Sequence, residues 1–242
     1  MHKYSYLEIA QTFLVLICIS IPPWLSLKKY FINRINRFVM FIMFLIYIAA
    51  IIFTQSQNIL PFIAVLISIY LLYRTRNNEE EIYFLRPLKD KKFEVLLQSI
   101  TFKVIISIIN MWFVFFMMGF GIKLQQQEIS KMFMDSSWTK IIMLSLLTVV
   151  TAPILEEFIF RHTLYRQLSK KTGKIAACLI TSGLFALLHF NFLGTISFFG
   201  VGIFNCYLYD KYGYRAAVIN HFVFNFISTF MIIMLKLFNV PI

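Results

Sequence analysis

Six polar residues interrupt the apolar last third of this 242-residue chain in a pattern that could activate water. Glu156 and Glu157 are adjacent, and Arg161 follows four residues after Glu157. His189 closes the run Phe185-Ala186-Leu187-Leu188, and His221 and Asn225 stand four apart in another apolar run. On a helix, residues four apart share a face, and acid before base is the favourable order. Arg161 is therefore expected to neutralise Glu157. Glu156, five residues from Arg161, points to a different face and has no cation on its own helix. A carboxylate so placed suits the work of a general base or acid. His221 and Asn225 also share a face and both can donate hydrogen bonds, so together they could hold an oxyanion or join a metal site. Pro153 stands just before the glutamates. It lacks an N–H and clashes with the carbonyl of Val149, so the helix is expected to kink or open there. A carbonyl freed at bilayer depth must face protein or a water-filled cavity, and hydrolysis needs that water.

Ionisable side chains inside apolar runs are costly and are functional candidates by default. Any one of these residues taken alone also fits a plain hydrogen bond between helices. Six of them on three helices fit a site better. The other polar residues of the apolar runs read more simply. Lys103 is expected to snorkel or line a cavity. His162 is read as solvated near a helix end, and His2 as a tail residue. Gly194, Gly200 and Gly202 are expected to permit close helix packing rather than chemistry. Cys18, Cys178 and Cys206 are odd in number and scattered through apolar runs, so they read as free, buried thiols rather than a disulfide framework or zinc knuckle.

The elements that must position these residues are membrane spans. The chain is 60% hydrophobic and 14% charged, against roughly half apolar and a quarter charged in soluble domains. A span needs about 20 mostly apolar residues. Such runs fall at 7–27, 36–54, 58–73, 93–120, 138–164, 174–191, 192–210 and 214–238, which predicts an all-α, polytopic bundle of about eight transmembrane helices. The first run reads as a span rather than a secretory signal. It lacks the usual basic n-region, and Pro22-Pro23-Trp24 is a poor cleavage site. The net charge of +12 is attributed to inner loops meeting an anionic leaflet, not to nucleic acid. With both termini outside, the inner loops carry Lys28, Lys29, Arg34 and Arg37, then Arg74, Arg76, Arg86, Lys89, Lys91 and Lys92. They continue with Arg166, Lys170, Lys171, Lys174, Lys211 and Arg215. The outer segments keep only Lys3, Lys123, Lys131, Lys140 and Lys236. That asymmetry favours eight spans in a cell membrane.

The charged segment 74–92, with Glu79-Glu80-Glu81 among its basic residues, reads as a cytoplasmic loop or interfacial helix. It divides a scaffold half, 1–92, from a half bearing the polar cluster, 93–242, whose core is 138–238. At 1.5 Å per residue, Glu156 and His221 lie roughly 10–15 Å from the inner helix ends, whereas His189 lies about 22 Å from Lys174. These depths agree if the sixth run starts above the inner surface or is strongly tilted, with a cavity open to the cytoplasm.

Glu156-Glu157-x-x-x-Arg161, Phe185-x-x-x-His189 and His221-x-x-x-Asn225, in that order and each in its own run, resemble the signature of the CPBP family. These are CAAX-type intramembrane endopeptidases that include bacterial bacteriocin-processing or self-immunity (Abi) proteins. The resemblance covers about 150–226. It implies that Glu156 and His189 activate the attacking water, that His221 and Asn225 stabilise the oxyanion, and that Glu157 and Arg161 give structural support. The family is commonly called metalloprotease, so a divalent metal such as zinc on Glu156, His189 and His221 is one implied mechanism. A metal-free one with Glu156 as base fits the same residues, and no His-Glu-x-x-His motif occurs in the chain. The implied substrate is a membrane-associated or lipidated peptide. Two other functions stay open: a non-catalytic membrane partner conferring immunity or regulation, and a proton-coupled transporter using the Glu/His set as a relay. Paired halves with broken helices, which would favour the transporter, are not visible.

Overall fold

A computed structural model describes residues 6–54, 59–75, 81–122 and 128–240. Expectations for His2, Lys3, Arg76, Glu79, Glu80 and Lys123 fall outside these residues. The described residues are mostly helical, joined by short turns, and contain no strand. They comprise α1 (6–31), α2 (Arg37–Thr54), α3 (Ile59–Thr75), α4 (Lys92–Gly119), α5 (Glu128–Asp135), α6 (Trp138–Thr172), α7 (Lys174–Leu187), α8 (Thr195–Tyr212) and α9 (Tyr214–Leu237). Each of the eight apolar runs is occupied by a helix. Among the described residues, five helical stretches are long and apolar enough to cross a membrane: Ala10–Phe31, Arg37–Thr54, Lys89–Gly119, Trp138–Thr172 and Tyr214–Leu237. Ile59–Thr75 and Lys174–Leu187 are apolar but shorter. Length and composition alone thus give five spans, while the charge pattern gives eight.

The exterior is apolar as well as the core. Phe38, Phe53, Phe93, Trp112, Phe115 and Phe116 are all more than half exposed. In water such a surface would be an aggregation liability, whereas beside lipid it is solvated. The molecule is a helical membrane bundle.

Packing is tightest where the polar motifs sit. Phe158, Ile159 and Phe160 of α6 are sealed in the core, with Phe185 of α7 and Leu208 and Tyr209 of α8. Helices α7 and α8 approach closely because Gly202 has no side chain: a Cβ there would stand 2.8 Å from the Cα of Ser182. Gly200 likewise makes room for Ile106 of α4, where a Cβ would stand 2.6 Å from Cδ1. The packing reading therefore suits Gly200 and Gly202. It does not suit Gly194, whose neighbours, Phe198 and Asn191, belong to its own segment. Gly213 joins α8 to α9 in one residue. Its φ of +91° excludes ordinary side chains, and a Cβ would meet the carbonyl oxygen of Tyr83 at 2.5 Å.

Two expectations need correction. His162 is buried, not solvated: Nδ1 lies 3.0 Å from the Tyr209 hydroxyl, and the ring packs edge-on to Phe84 at 4.8 Å. It lies inside the π-helical stretch Phe158–Tyr165, nearly all of whose residues are buried. Cys206 is buried, but Cys18 and Cys178 are only partly so; all three thiols are free. The segment 74–92, read as a cytoplasmic loop or interfacial helix, contains a helical turn that also packs into the core. Phe84, in the turn Glu81–Leu85, is buried and stacks on Tyr214 at 4.4 Å. Lys103 does line the interior. Its Nζ donates to the Ser228 hydroxyl at 2.7 Å and sits 3.7 Å from the centre of the Phe224 ring.

Candidate active site

The helix carrying the glutamates is built around two π-helical stretches, Leu147–Thr151 and Phe158–Tyr165, on either side of the α-helical turn Ala152–Glu157. In the first stretch the Ala152 amide donates to the Leu147 carbonyl, five residues back. In that register the acceptor Pro153 cannot serve is the Thr148 carbonyl, not Val149 as α-helical spacing predicts. Asn225 of α9 fills the gap, its Nδ2 donating to Thr148 O at 2.8 Å. A buried carbonyl left bare costs on the order of 1–3 kcal/mol, so this bond ties α9 to α6 about two turns before Glu156. The Tyr214 hydroxyl adds a second tie by donating to the Ile154 carbonyl at 2.7 Å.

Glu157 is the hub of the cluster. It is fully buried, and its Oε1 accepts from Arg161 Nη1 at 3.2 Å, Asn205 Nδ2 at 2.8 Å and His221 Nδ1 at 2.7 Å. Asn220 Nδ2 extends the network by donating to Asn205 Oδ1 at 2.7 Å. Arg161, also fully buried, donates from Nη2 to the Gly202 carbonyl at 3.1 Å and lies over the Phe185 ring at 4.9 Å. One ion pair thus links α6, α8 and α9. The Arg161–Glu157 pairing is the one that the four-residue spacing predicts.

Glu156 faces a different partner. No donor of the protein hydrogen-bonds its buried Oε2, and the side chain keeps 22% exposure. His221 Nε2 lies 3.8 Å from that oxygen. Because Nδ1 of His221 meets a carboxylate oxygen, it carries a proton, and Nε2 is the nitrogen turned toward Glu156. His189 stands in the turn just past the end of α7. Its Nδ1 is 2.8 Å from the Phe185 carbonyl, which can only accept, so Nδ1 carries the proton and Nε2 is left for other partners. The His189 ring stacks on Phe198 at 3.8 Å, and Phe185 touches both His189 and His221 at 4.7 and 5.5 Å.

Glu156, Glu157, Arg161, His221 and Asn225 are therefore gathered on α6 and α9, and Phe185 touches both His221 and His189. Sequence reasoning missed Asn205 and Asn220, both buried and both in the hub. Their signal was an amide in an apolar run, and Asn220 directly precedes His221. The donor set offered for a divalent metal fits poorly. Glu156 Oε2 and His221 Nε2 face each other, but among the described residues no three His, Cys, Asp or Glu side chains are grouped to hold a metal ion. A catalytic zinc site takes three protein ligands.

A family model described as "Type II CAAX prenyl endopeptidase Rce1-like" matches residues 138–227. A search of curated proteins and a search of solved structures each returned no match. The matched segment contains all three motifs, from Glu156 to Asn225, together with the π-interrupted helix and the buried hub. Over residues 138–227, less than half of its length, the chain is thus similar to the CAAX-type (CPBP) endopeptidases.

Proposed function

We propose that this protein is an intramembrane endopeptidase that hydrolyses a peptide bond in a membrane-associated or lipidated peptide, with Glu156 as the base. The observation that carries this reading is the division of labour between two adjacent carboxylates. Both carboxylates leave Oε2 without a donor, but Glu157 is fully buried with its Oε1 committed to three donors, whereas Glu156 keeps 22% exposure and turns its Oε2 to His221 Nε2 at 3.8 Å. Environments that separate two neighbouring acids are how acid–base roles are assigned.

In the reaction, Glu156 takes a proton from a water molecule, with His189 Nε2 accepting a second hydrogen bond from that water and orienting it. The hydroxide adds to the scissile carbonyl carbon, and the carbonyl oxygen becomes an oxyanion. His221, acting as an imidazolium with Nδ1–H held by Glu157 and Nε2–H free to donate, stabilises that charge together with the Nδ2–H of Asn225 that does not bond Thr148. The tetrahedral intermediate then expels the amine, which receives its proton from Glu156. Atoms and charge balance without a metal, and the poorly grouped donors support leaving one out. The exposed apolar helix faces suit a substrate delivered from lipid.

Two outcomes check the roles. Asn225→Ala is expected to lower the cleavage rate by roughly 10²–10³-fold, as for loss of one oxyanion donor, with a measurable remnant in a peptide-release assay. Complete loss equal to that of Glu156→Ala would reject this split of roles. Treatment with 1,10-phenanthroline is expected to leave the rate unchanged, and loss restored by added zinc would establish a metal instead. The reading itself is tested by comparing membrane peptides, by mass spectrometry, from cells making the wild type and cells making Glu156→Ala. A fragment found only with the wild type gives the substrate and the cut. Identical profiles at equal protein abundance would favour the non-catalytic partner.

A further inference from the structure

A cavity lies away from the glutamates, between the starts of α4 and α9. Its volume is about 300 Å³, and it is lined by Leu88, Lys92, Tyr214, Arg215, Val218 and Ile219. The wall is mostly apolar, yet two cations stand on it. Neither has a carboxylate within ion-pair distance among the described residues. Glu94, the acid nearest Lys92 on α4, pairs with Lys91 at 2.8 Å and lies 3.9 Å from Lys211. Arg215 donates to the neutral hydroxyl of Tyr73. Both cations belong to the positive stretches that mark the inner face of the bundle in the sequence. An apolar cavity with uncompensated cations, opening at a membrane surface, is complementary to a molecule with an anionic head and a hydrocarbon tail.

We infer that this cavity binds an anionic phospholipid, with the phosphate on Lys92 and Arg215 and an acyl chain along Leu88, Val218 and Ile219. Tyr214 forms one wall, and its hydroxyl holds the carbonyl of Ile154, two residues before Glu156. An occupied cavity therefore braces the segment that carries the base. The inference does not depend on the protease reading, because it uses no residue of the Glu156–His221 cluster.

The test uses the purified full chain in detergent, with photoactivatable phosphatidylglycerol bearing a diazirine in its acyl chain. The matched phosphatidylcholine probe is the control. Labelled peptides mapped by mass spectrometry are expected to include 214–219, with phosphatidylglycerol strongly preferred. Each basic residue at a membrane surface favours an anionic lipid by roughly fivefold. A Lys92→Ser, Arg215→Ser double variant is thus expected to lower that preference by roughly 25-fold. Val218→Trp, which fills the cavity, is expected to reduce labelling by both probes while leaving the cations in place. Excess inorganic phosphate is expected to displace little, because the tail supplies much of the binding. The inference is overturned by equal labelling with the two probes, by unchanged preference in a well-folded double variant, or by full displacement with inorganic phosphate.

Discussion

Glu156→Ala is expected to lose peptide-bond cleavage by at least about 10³-fold, near the detection limit of a mass-spectrometric assay, while the protein melts at the wild-type temperature. General acid–base catalysis contributes roughly 10²–10⁴-fold. Here one group both removes and returns the proton, so the upper part of that range applies. Stability is expected to hold because Glu156 makes no hydrogen bond through Oε2 and no contact within ion-pair geometry to Arg161. Removing a partly buried carboxylate whose nearest ionisable neighbour, His221 Nε2, stands beyond hydrogen-bond distance at 3.8 Å relieves a desolvation cost rather than breaking a structure. Glu156→Gln should behave alike, since it keeps the shape and removes the basicity. Retained cleavage in either variant would take the base role from Glu156. A marked drop in melting temperature would instead make Glu156 part of the scaffold.

Arg161→Ala is expected to do the reverse in kind: to unfold the bundle and lose activity only as a consequence. Breaking a buried pair by removing one partner costs on the order of 3–5 kcal/mol. In this protein the loss is compounded. Glu157 keeps Asn205 and His221 but loses its counter-charge, and the Gly202 carbonyl loses its donor. The contact of the guanidinium with the Phe185 ring goes as well. Arg161→Lys is not expected to rescue fully, because one ammonium cannot reproduce a planar fork that reaches a carboxylate on its own helix and a carbonyl on α8. Thermal unfolding in detergent, followed by intrinsic fluorescence, is the measurement. A variant that melts normally yet cleaves nothing would move Arg161 from support into the chemistry. Taken together, the two substitutions separate a loss of reaction from a loss of fold.

Much of this arrangement was legible in the order of residues. Membrane helices follow from the apolar runs, because a backbone in hydrocarbon must satisfy its own hydrogen bonds. The Glu157–Arg161 pair follows from a four-residue spacing, which is a local property of one helix. The three motifs mark their own importance, because polar side chains are too costly at bilayer depth to persist without partners or a task.

What the sequence could not disclose is everything that depends on which helix stands beside which. Asn205 and Asn220 look like stray amides until α8 and α9 bring them to Glu157. His162 looks solvated until Phe84 and Tyr209 close over it. The carbonyl that Pro153 leaves unserved moved by one residue, because a π register replaces the α register there, and its donor comes from 77 positions further along the chain. His221 is assigned its outward nitrogen only by the carboxylate that occupies the other. Spacing along a chain determines which side chains share a face of one helix. Only the packing of several helices decides what each face meets, and the chemistry of a buried polar group is set by what it meets.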